Sequence, residues 1–424
     1  MEQIIIQQNQ HWEKPYQDLV PRSILSKIMH QMQLKEIQVV LGPRRSGKST
    51  LFMLIINELS QEVNPHEILY LNLDDPFYIE ITKDVKKLVK AIETAQKLTQ
   101  KKIKYLFLDE IQQVEFWEKY VKSVYDSQLF HKIFITGSNS NLLKGEYANL
   151  LSGRYILDMV YPYSFREILS QLKIKSMLEL VENKVKLLRV IDQLLEYGSY
   201  PEIFKTKDNQ LKRELILNYY DTILLKDCIA YGKIRDIKTF RELAHYLITN
   251  NGTLYSYLGL SKNINSNEGS VKDFIHYLEN SYLFYELKHF SYSLKKQSKA
   301  KKKTYCLDNA FLANISFRFS SNKGKLFENL VFSELLKQGK TIYFDTEHNY
   351  ECDFLVKEKK SNEFNLIQVC YELNSENQKR EIKGLNKAGE QKNVSEKIII
   401  TYDQEEHIDD IKVIPFWKYF FIEK

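Results

Sequence analysis

Residues 37–59 read IQVVLGPRRSGKSTLFMLIINEL. The run Ile37–Leu41 is short, apolar and rich in β-branched side chains, as a buried parallel strand requires. Gly42–Ser49 (GPRRSGKS) fits G-x-x-x-x-G-K-[ST], and Lys48–Leu59 has helical spacing. Gly42 and Gly47 let the backbone curl so that successive N–H groups point inward, with Pro43, Arg44, Arg45 and Ser46 between them. The next helix aims its positive end at the same point. Such a cradle suits the phosphates of a nucleoside triphosphate. Lys48 is expected on the β- and γ-phosphates, the Ser49 hydroxyl on Mg²⁺, and Thr50 just behind.

A second string, Phe107–Glu110 (FLDE), closes the apolar run Ile103–Leu108. Asp109 is expected to hold Mg²⁺ together with Ser49. Glu110 is expected to orient and deprotonate the attacking water. A Glu directly after the magnesium Asp marks hydrolytic P-loop proteins. ATP and Mg²⁺ are therefore the cofactors implied, and ATP hydrolysis the activity.

The chain has 424 residues, enough for about three domains. With 43% hydrophobic and 27% charged residues it can build real cores. A net charge of +6 permits a nucleic-acid partner without arguing for one. The four cysteines, Cys228, Cys306, Cys352 and Cys370, form no C-x-x-C pair and read as free thiols. No stretch is long and apolar enough to span a membrane, and the N-terminus lacks the pattern of a secretory signal, so a cytoplasmic location is expected.

Strands at Ile68–Leu73, Ile103–Leu108, Lys132–Thr136 and Tyr155–Val160 alternate with helices, among them Val114–Tyr125. Alternation of this kind predicts an α/β fold with a parallel sheet over residues 1–163 and a ligand at the carboxyl ends of its strands. Residues 164–237 read as a helical lid or linker. Residues 238–310 read as three helices and two strands, a winged-helix pattern. Between those strands lies Leu294–Lys303 (LKKQSKAKKK), either a solvated hairpin tip or a wing touching phosphate backbone through Lys299, Lys301, Lys302 and Lys303. Residues 322–424 give helix, three strands, helix, strand, the core order of the restriction-endonuclease-like fold.

Taken in order, GPRRSGKST, YLNLDDP, FLDEIQ, ITGSNS, LSGRY, YPYSFREIL, YGSYPEIF, LLKDCIAYGKIRD, YCLDNAF, LFENLVFSELLKQG, ECDFLV and IQVCYEL resemble the prokaryotic AAA+-superfamily ATP-binding proteins that carry a C-terminal domain of unknown function. The resemblance covers nearly the whole chain. It implies a sensor of the γ-phosphate at Ser138 or Asn139, and a phosphate-sensing arginine at Arg154, acting in cis or from a neighbouring subunit. Arg44 and Arg45 would be phosphate ligands or interface contacts. A homo-oligomer or protein partner is expected, with no membrane. For the terminal domain, Glu328 and Asp353 fit two metal-binding acids of a nuclease, but Gln368-Val369-Cys370 stands where acid-x-Lys is needed. An inactive, vestigial site is expected there. The reading is a nucleotide-controlled switch; the alternatives are an ATP-gated nuclease and a protein-interaction switch without nucleic acid.

Overall fold

A computed structural model describes residues 1–143, 150–316, 323–358 and 361–422. Residue 322, residues 359–360 and residues 423–424 of the expected last region thus lie outside the described residues. The chain divides into two compact units, Met1–Tyr161 and Pro162–Lys424.

The first unit is built on five strands: β1 (Ile37–Leu41), β2 (Ile68–Asn72), β3 (Tyr105–Asp109), β4 (Lys132–Gly137) and β5 (Tyr155–Met159). Their order is β2-β3-β4-β1-β5, and every pair is parallel. β1 and β4 are buried at every residue, which explains why they read as continuous apolar runs without alternation. Because β4 lies between β1 and β3, the segment leaving β4 emerges between the ends of the other two.

Helix Lys48–Leu59 is clamped onto this sheet by aromatic packing. Phe52, one turn beyond Lys48, meets the Phe107 ring edge-on at 5.1 Å. Phe107 and Phe134 lie on neighbouring strands in register and stack at 4.2 Å. Alternation along a strand puts Asp109 on the face of Phe107, and Thr136 on the face of Phe134. The apolar contact thus sets the height at which the loop and the two acids meet. The expected helix Val114–Tyr125 is instead Trp117–Asp126, preceded by a short turn at Ile111–Gln113.

The second unit opens with helices, including Phe165–Gln171, Lys184–Tyr197 and Asn209–Thr222. Helices Ile237–Thr249, Tyr257–Asn263 and Glu268–Asn280 follow, then the antiparallel pair β6 (Phe284–Lys288) and β7 (Lys302–Cys306). The lysine-rich connection is not a simple hairpin tip: Leu294–Lys299 is helical and β7 begins at Lys302. After helix Lys323–Lys337 come β8 (Thr341–Glu347), β9 (Tyr350–Lys357), β10 (Phe364–Cys370), helix Gln378–Gly389, β11 (Val394–Thr401), β12 (Glu406–Ile408) and β13 (Ile411–Pro415). The six strands run in the order β12-β13-β11-β10-β9-β8. β8, β9 and β10 pair antiparallel, and β11 joins β10 in parallel across the Gln378–Gly389 crossover. Among the described residues no helix is long and apolar enough to cross a membrane.

Candidate functional site

The loop 42–47 takes the backbone conformations its glycines were expected to supply. Gly47 has φ +98°, and a Cβ on Gly42 would lie 2.0 Å from the Val160 carbonyl oxygen. Arg45 also has positive φ (67°) and is exposed, whereas Ser46 is buried and its Oγ has no hydrogen-bond partner. Arg22 fastens the loop from behind, donating to the carbonyls of Ser46 (2.8 Å) and Tyr161 (2.6 Å). Arg44 pairs with Asp74 at 3.3 Å.

Lys48 is buried at the start of its helix. Its ammonium donates to the Gly42 and Pro43 carbonyls, each at 3.1 Å, and stands 3.4 Å from Glu110 Oε1. Glu110 adopts a left-handed conformation (φ 55°), which turns its side chain off the β3 alternation toward the loop. Its backbone N–H donates to Thr136 Oγ1 (2.8 Å), its Oε2 accepts from the Ser138 backbone N–H (3.2 Å), and the Gln112 amide also donates to it. Burial acts to raise the Glu110 pKa, but Lys48, Arg44 and the bonds from Gln112 and Ser138 outweigh it. The net shift is downward, so the carboxylate is ionised.

Asp109 sits one residue earlier, deeper in the sheet. The Tyr70 hydroxyl donates to its Oδ2 at 2.8 Å, and the Thr136 hydroxyl donates to its Oδ1. Burial first, and then the Glu110 charge, push its pKa up, against hydrogen bonds from Ser49, Thr136 and Tyr70. Two adjacent acids are thus driven in opposite directions by their surroundings, a pattern typical of functional sites.

Ser138 joins the cluster through its backbone and lies with Oγ 3.5 Å from Gln112 Nε2. Asn139 is buried next to it, and its Oδ1 accepts from the Asn141 N–H. Thr50 follows Ser49 in the first helical turn, half-buried. Arg154 does not join them. It precedes β5, and its carbonyl accepts from the N–H of Ile37, the first residue of β1. It therefore lies at the amino end of the sheet, a strand's length from the loop at the carboxyl end, and its guanidinium pairs with Asp126 at 3.0 Å. In this arrangement Arg154 does not meet the Lys48–Glu110 cluster of its own chain.

The other lysines and acids divide in the second unit. Lys299 and Lys301 are exposed, as are Lys295 and Lys296. Lys302 and Lys303 are not: they are 9% and 2% exposed and belong to β7, not to a wing tip. Successive strand residues face opposite sides. Lys302 lies over the Tyr257 ring at 4.5 Å, and Lys303 over Phe344 at 5.5 Å. The nucleic-acid role expected of these two is corrected accordingly. Gln368 is committed to the backbone: its Oε1 accepts from the Asp353 N–H (2.7 Å), and its amide donates to the Glu351 carbonyl (3.0 Å) and Glu381 (2.8 Å). It bridges β9 and β10 where their ladder stops, beyond Phe354↔Ile367.

Motif reading missed Tyr70, Gln112 and Thr136, which hold the two acids, and Asp74, which holds Arg44. All four lie inside the motif strings YLNLDDP, FLDEIQ and ITGSNS. Other motif residues converge elsewhere. Asp308 accepts from the N–H and hydroxyl of Ser199, and Lys337 donates to Ser199 Oγ and Glu334. YGSYP, LDNAF and SELLK therefore meet in one buried polar network inside the second unit.

Comparison with known proteins gives the following matches. Residues 34–169 match the family described as AAA domain. Residues 188–322 and 323–419 each match a domain of unknown function. An uncharacterized protein of Methanocaldococcus jannaschii is 35% identical over 407 residues, spanning 91% of this chain and 88% of its own. An uncharacterized protein of Haemophilus influenzae is 32% identical over 343 residues, 80% of this chain and 83% of its own. Among solved structures, AMPPCP-bound DnaA from Aquifex aeolicus aligns over 60% of this chain and 86% of its own, with 14% identity and a TM-score of 0.29. C. elegans PCH-2 aligns over 64% and 71%, with 13% identity and a TM-score of 0.26.

Proposed function

This chain belongs to the family of its archaeal and bacterial relatives and matches the AAA domain over residues 34–169, and from that premise we propose that it is a Mg-ATP-dependent P-loop ATPase acting as a nucleotide-controlled switch. One observation carries the reading. Lys48, Glu110 and the Ser138 N–H converge at the carboxyl ends of β1, β3 and β4, with the ionised Glu110 bridging the other two.

The residues fit a magnesium-bound triphosphate. Mg²⁺ takes oxygen ligands and relies on one or two carboxylates plus phosphates, not on an all-protein cage. Ser49 and Asp109 supply that donor set, and no group of three acidic, His or Cys side chains is poised for a metal among the described residues. When bound, the ion neutralises charge developing on the phosphates. Lys48 exchanges its carbonyl and Glu110 partners for phosphate oxygens. Release from Lys48 frees Glu110 to accept the proton of an attacking water. Ser138 and Gln112 keep the carboxylate aimed. Arg154, at the far end of its own sheet, would serve only a neighbouring subunit.

Three helices followed by β6–β7 support a winged-helix reading, and the order of elements from Lys323 to Thr401 supports an endonuclease-like one. These regions would contact nucleic acid or a protein partner. Burial of Lys302 and Lys303 leaves a smaller cationic surface, which favours the protein-partner form of the switch. The deciding experiment is ATP turnover by the full chain, alone and with single-stranded DNA, duplex DNA or RNA. Salt-sensitive stimulation supports a nucleic-acid partner. Turnover indifferent to all three supports a protein one, and no turnover under any condition refutes the ATPase.

A further inference from the structure

We infer that Lys303 is the resident cation of a carboxylate cluster formed by Glu328, Glu351 and Asp353, filling with an ammonium the role a metal ion would play in a nuclease and making this region a metal-free joint. The inference is independent of the nucleotide site.

Lys303 comes from β7, outside the strands that carry Glu351 and Asp353. Its side chain is 2% exposed. The ammonium lies 2.5 Å from Glu351 Oε1 and 3.9 Å from Glu328 Oε1. Two further hydrogen bonds enter the cluster. The Tyr305 hydroxyl donates to Glu328 Oε1 at 2.5 Å, and the Val369 N–H donates to Asp353 Oδ2 at 2.9 Å. Glu328 and Glu351, on helix Lys323–Lys337 and β9, are thereby drawn to one nitrogen. Burial alone would favour a neutral lysine, yet the three carboxylates hold the Lys303 pKa above its ordinary value.

The chemistry follows from that occupancy. A nuclease of this architecture needs its acids for a metal and its lysine beside the attacking hydroxide. Here the lysine's partners are the acids themselves. Gln368, at the remaining ligand position, is spent bridging β9 to β10. A buried ammonium between these carboxylates ties the β6–β7 pair to the large sheet and stands where a metal ion would otherwise balance them.

The test uses the full chain and Mn²⁺ as probe. The wild type should show no saturable Mn²⁺ uptake that depends on Asp353, and no Mn²⁺-dependent rise in Tm. Lys303→Met should lower Tm by roughly 6–15 °C, the shift expected when one partner of a buried ion pair is removed. It should also gain a Mn²⁺-dependent recovery, since the carboxylates then lack a cation. Glu351→Gln, at a half-exposed position that tolerates change, should lower Tm by a few degrees without creating Mn²⁺ dependence. It serves if Lys303→Met proves insoluble. Wild-type Mn²⁺ uptake abolished by Asp353→Asn would overturn the inference. So would a Lys303→Met chain with wild-type Tm, or a Glu351→Gln chain whose Tm is unchanged.

Discussion

Replacing Glu110 by Gln should separate binding from chemistry at the proposed nucleotide site. The two side chains have the same shape, and the amide can still accept from the Ser138 N–H. What is lost is the charge 3.4 Å from Lys48. At an effective dielectric near 20, a pair at that distance attracts by on the order of 5 kcal/mol before desolvation is subtracted. Lys48 keeps its two carbonyl partners in the variant, so the stability cost should sit at or below the low end of the roughly 3–5 kcal/mol seen when a buried pair loses one member. ATP affinity should be no weaker than wild type, because the γ-phosphate no longer competes with Glu110 for the ammonium. Hydrolysis should fall by about 10²–10⁴, the contribution of a positioned general base. Phosphate release at saturating Mg-ATP and equilibrium ATP binding, on the same preparation, measure the two effects. Turnover within a few-fold of wild type would refute Glu110 as the base. A tenfold loss of affinity would show it to be a ligand or a positioning group instead.

Two further outcomes are expected. Neutralising Lys295, Lys296, Lys299 and Lys301 together should flatten the salt dependence of duplex DNA binding by about 0.9 in log–log slope for each phosphate no longer neutralised, with ATP turnover retained; an unchanged slope would leave these lysines as a solvated surface. His11, whose ring nitrogens lie 3.2 Å from the Ile68 carbonyl and the Tyr16 hydroxyl, has its pKa lowered to about 4, chiefly by burial. Its neutral form is the one the fold prefers. Its contribution of about 3 kcal/mol is therefore present above the unfolded value near 6.5 and lost as pH falls from there toward 4. Unfolding temperatures at pH 7.5 and 4.5 should converge in His11→Gln relative to wild type; an equal drop in both chains would contradict this.

The geometry of the proposed nucleotide site was legible because its information is local. A strand, a glycine loop and a Lys-Ser helix start lie within Ile37–Leu59, and the two acids close one strand. What escaped depended on residues distant in the chain. Thr136 holds Asp109 and the Glu110 N–H only because β4 inserts beside β3. Arg154 has the right type in the right string, but a string does not say at which end of a sheet its residue falls. Lys302 and Lys303 read as part of a solvated basic run. They are buried because β7 is covered on both faces, one lysine meeting Tyr257 and the next meeting Phe344. No local pattern distinguishes that from a surface wing, since the covering side chains come from 45 residues before Lys302 and 41 after Lys303 in sequence.

Equilibrium binding of Mg-ATP to the full chain and to Lys48→Ala tests the central claim most directly. Lys48 is the buried cation held at the mouth of the loop, bound to two of the loop's own carbonyls and facing Glu110. The wild type should bind one equivalent saturably and require Mg²⁺ for full affinity. Lys48→Ala should lose at least about a hundredfold in affinity, as expected when a charge-assisted phosphate contact disappears from a desolvated site. Undiminished affinity in the variant would contradict the account, because the loop would then not be where the triphosphate binds.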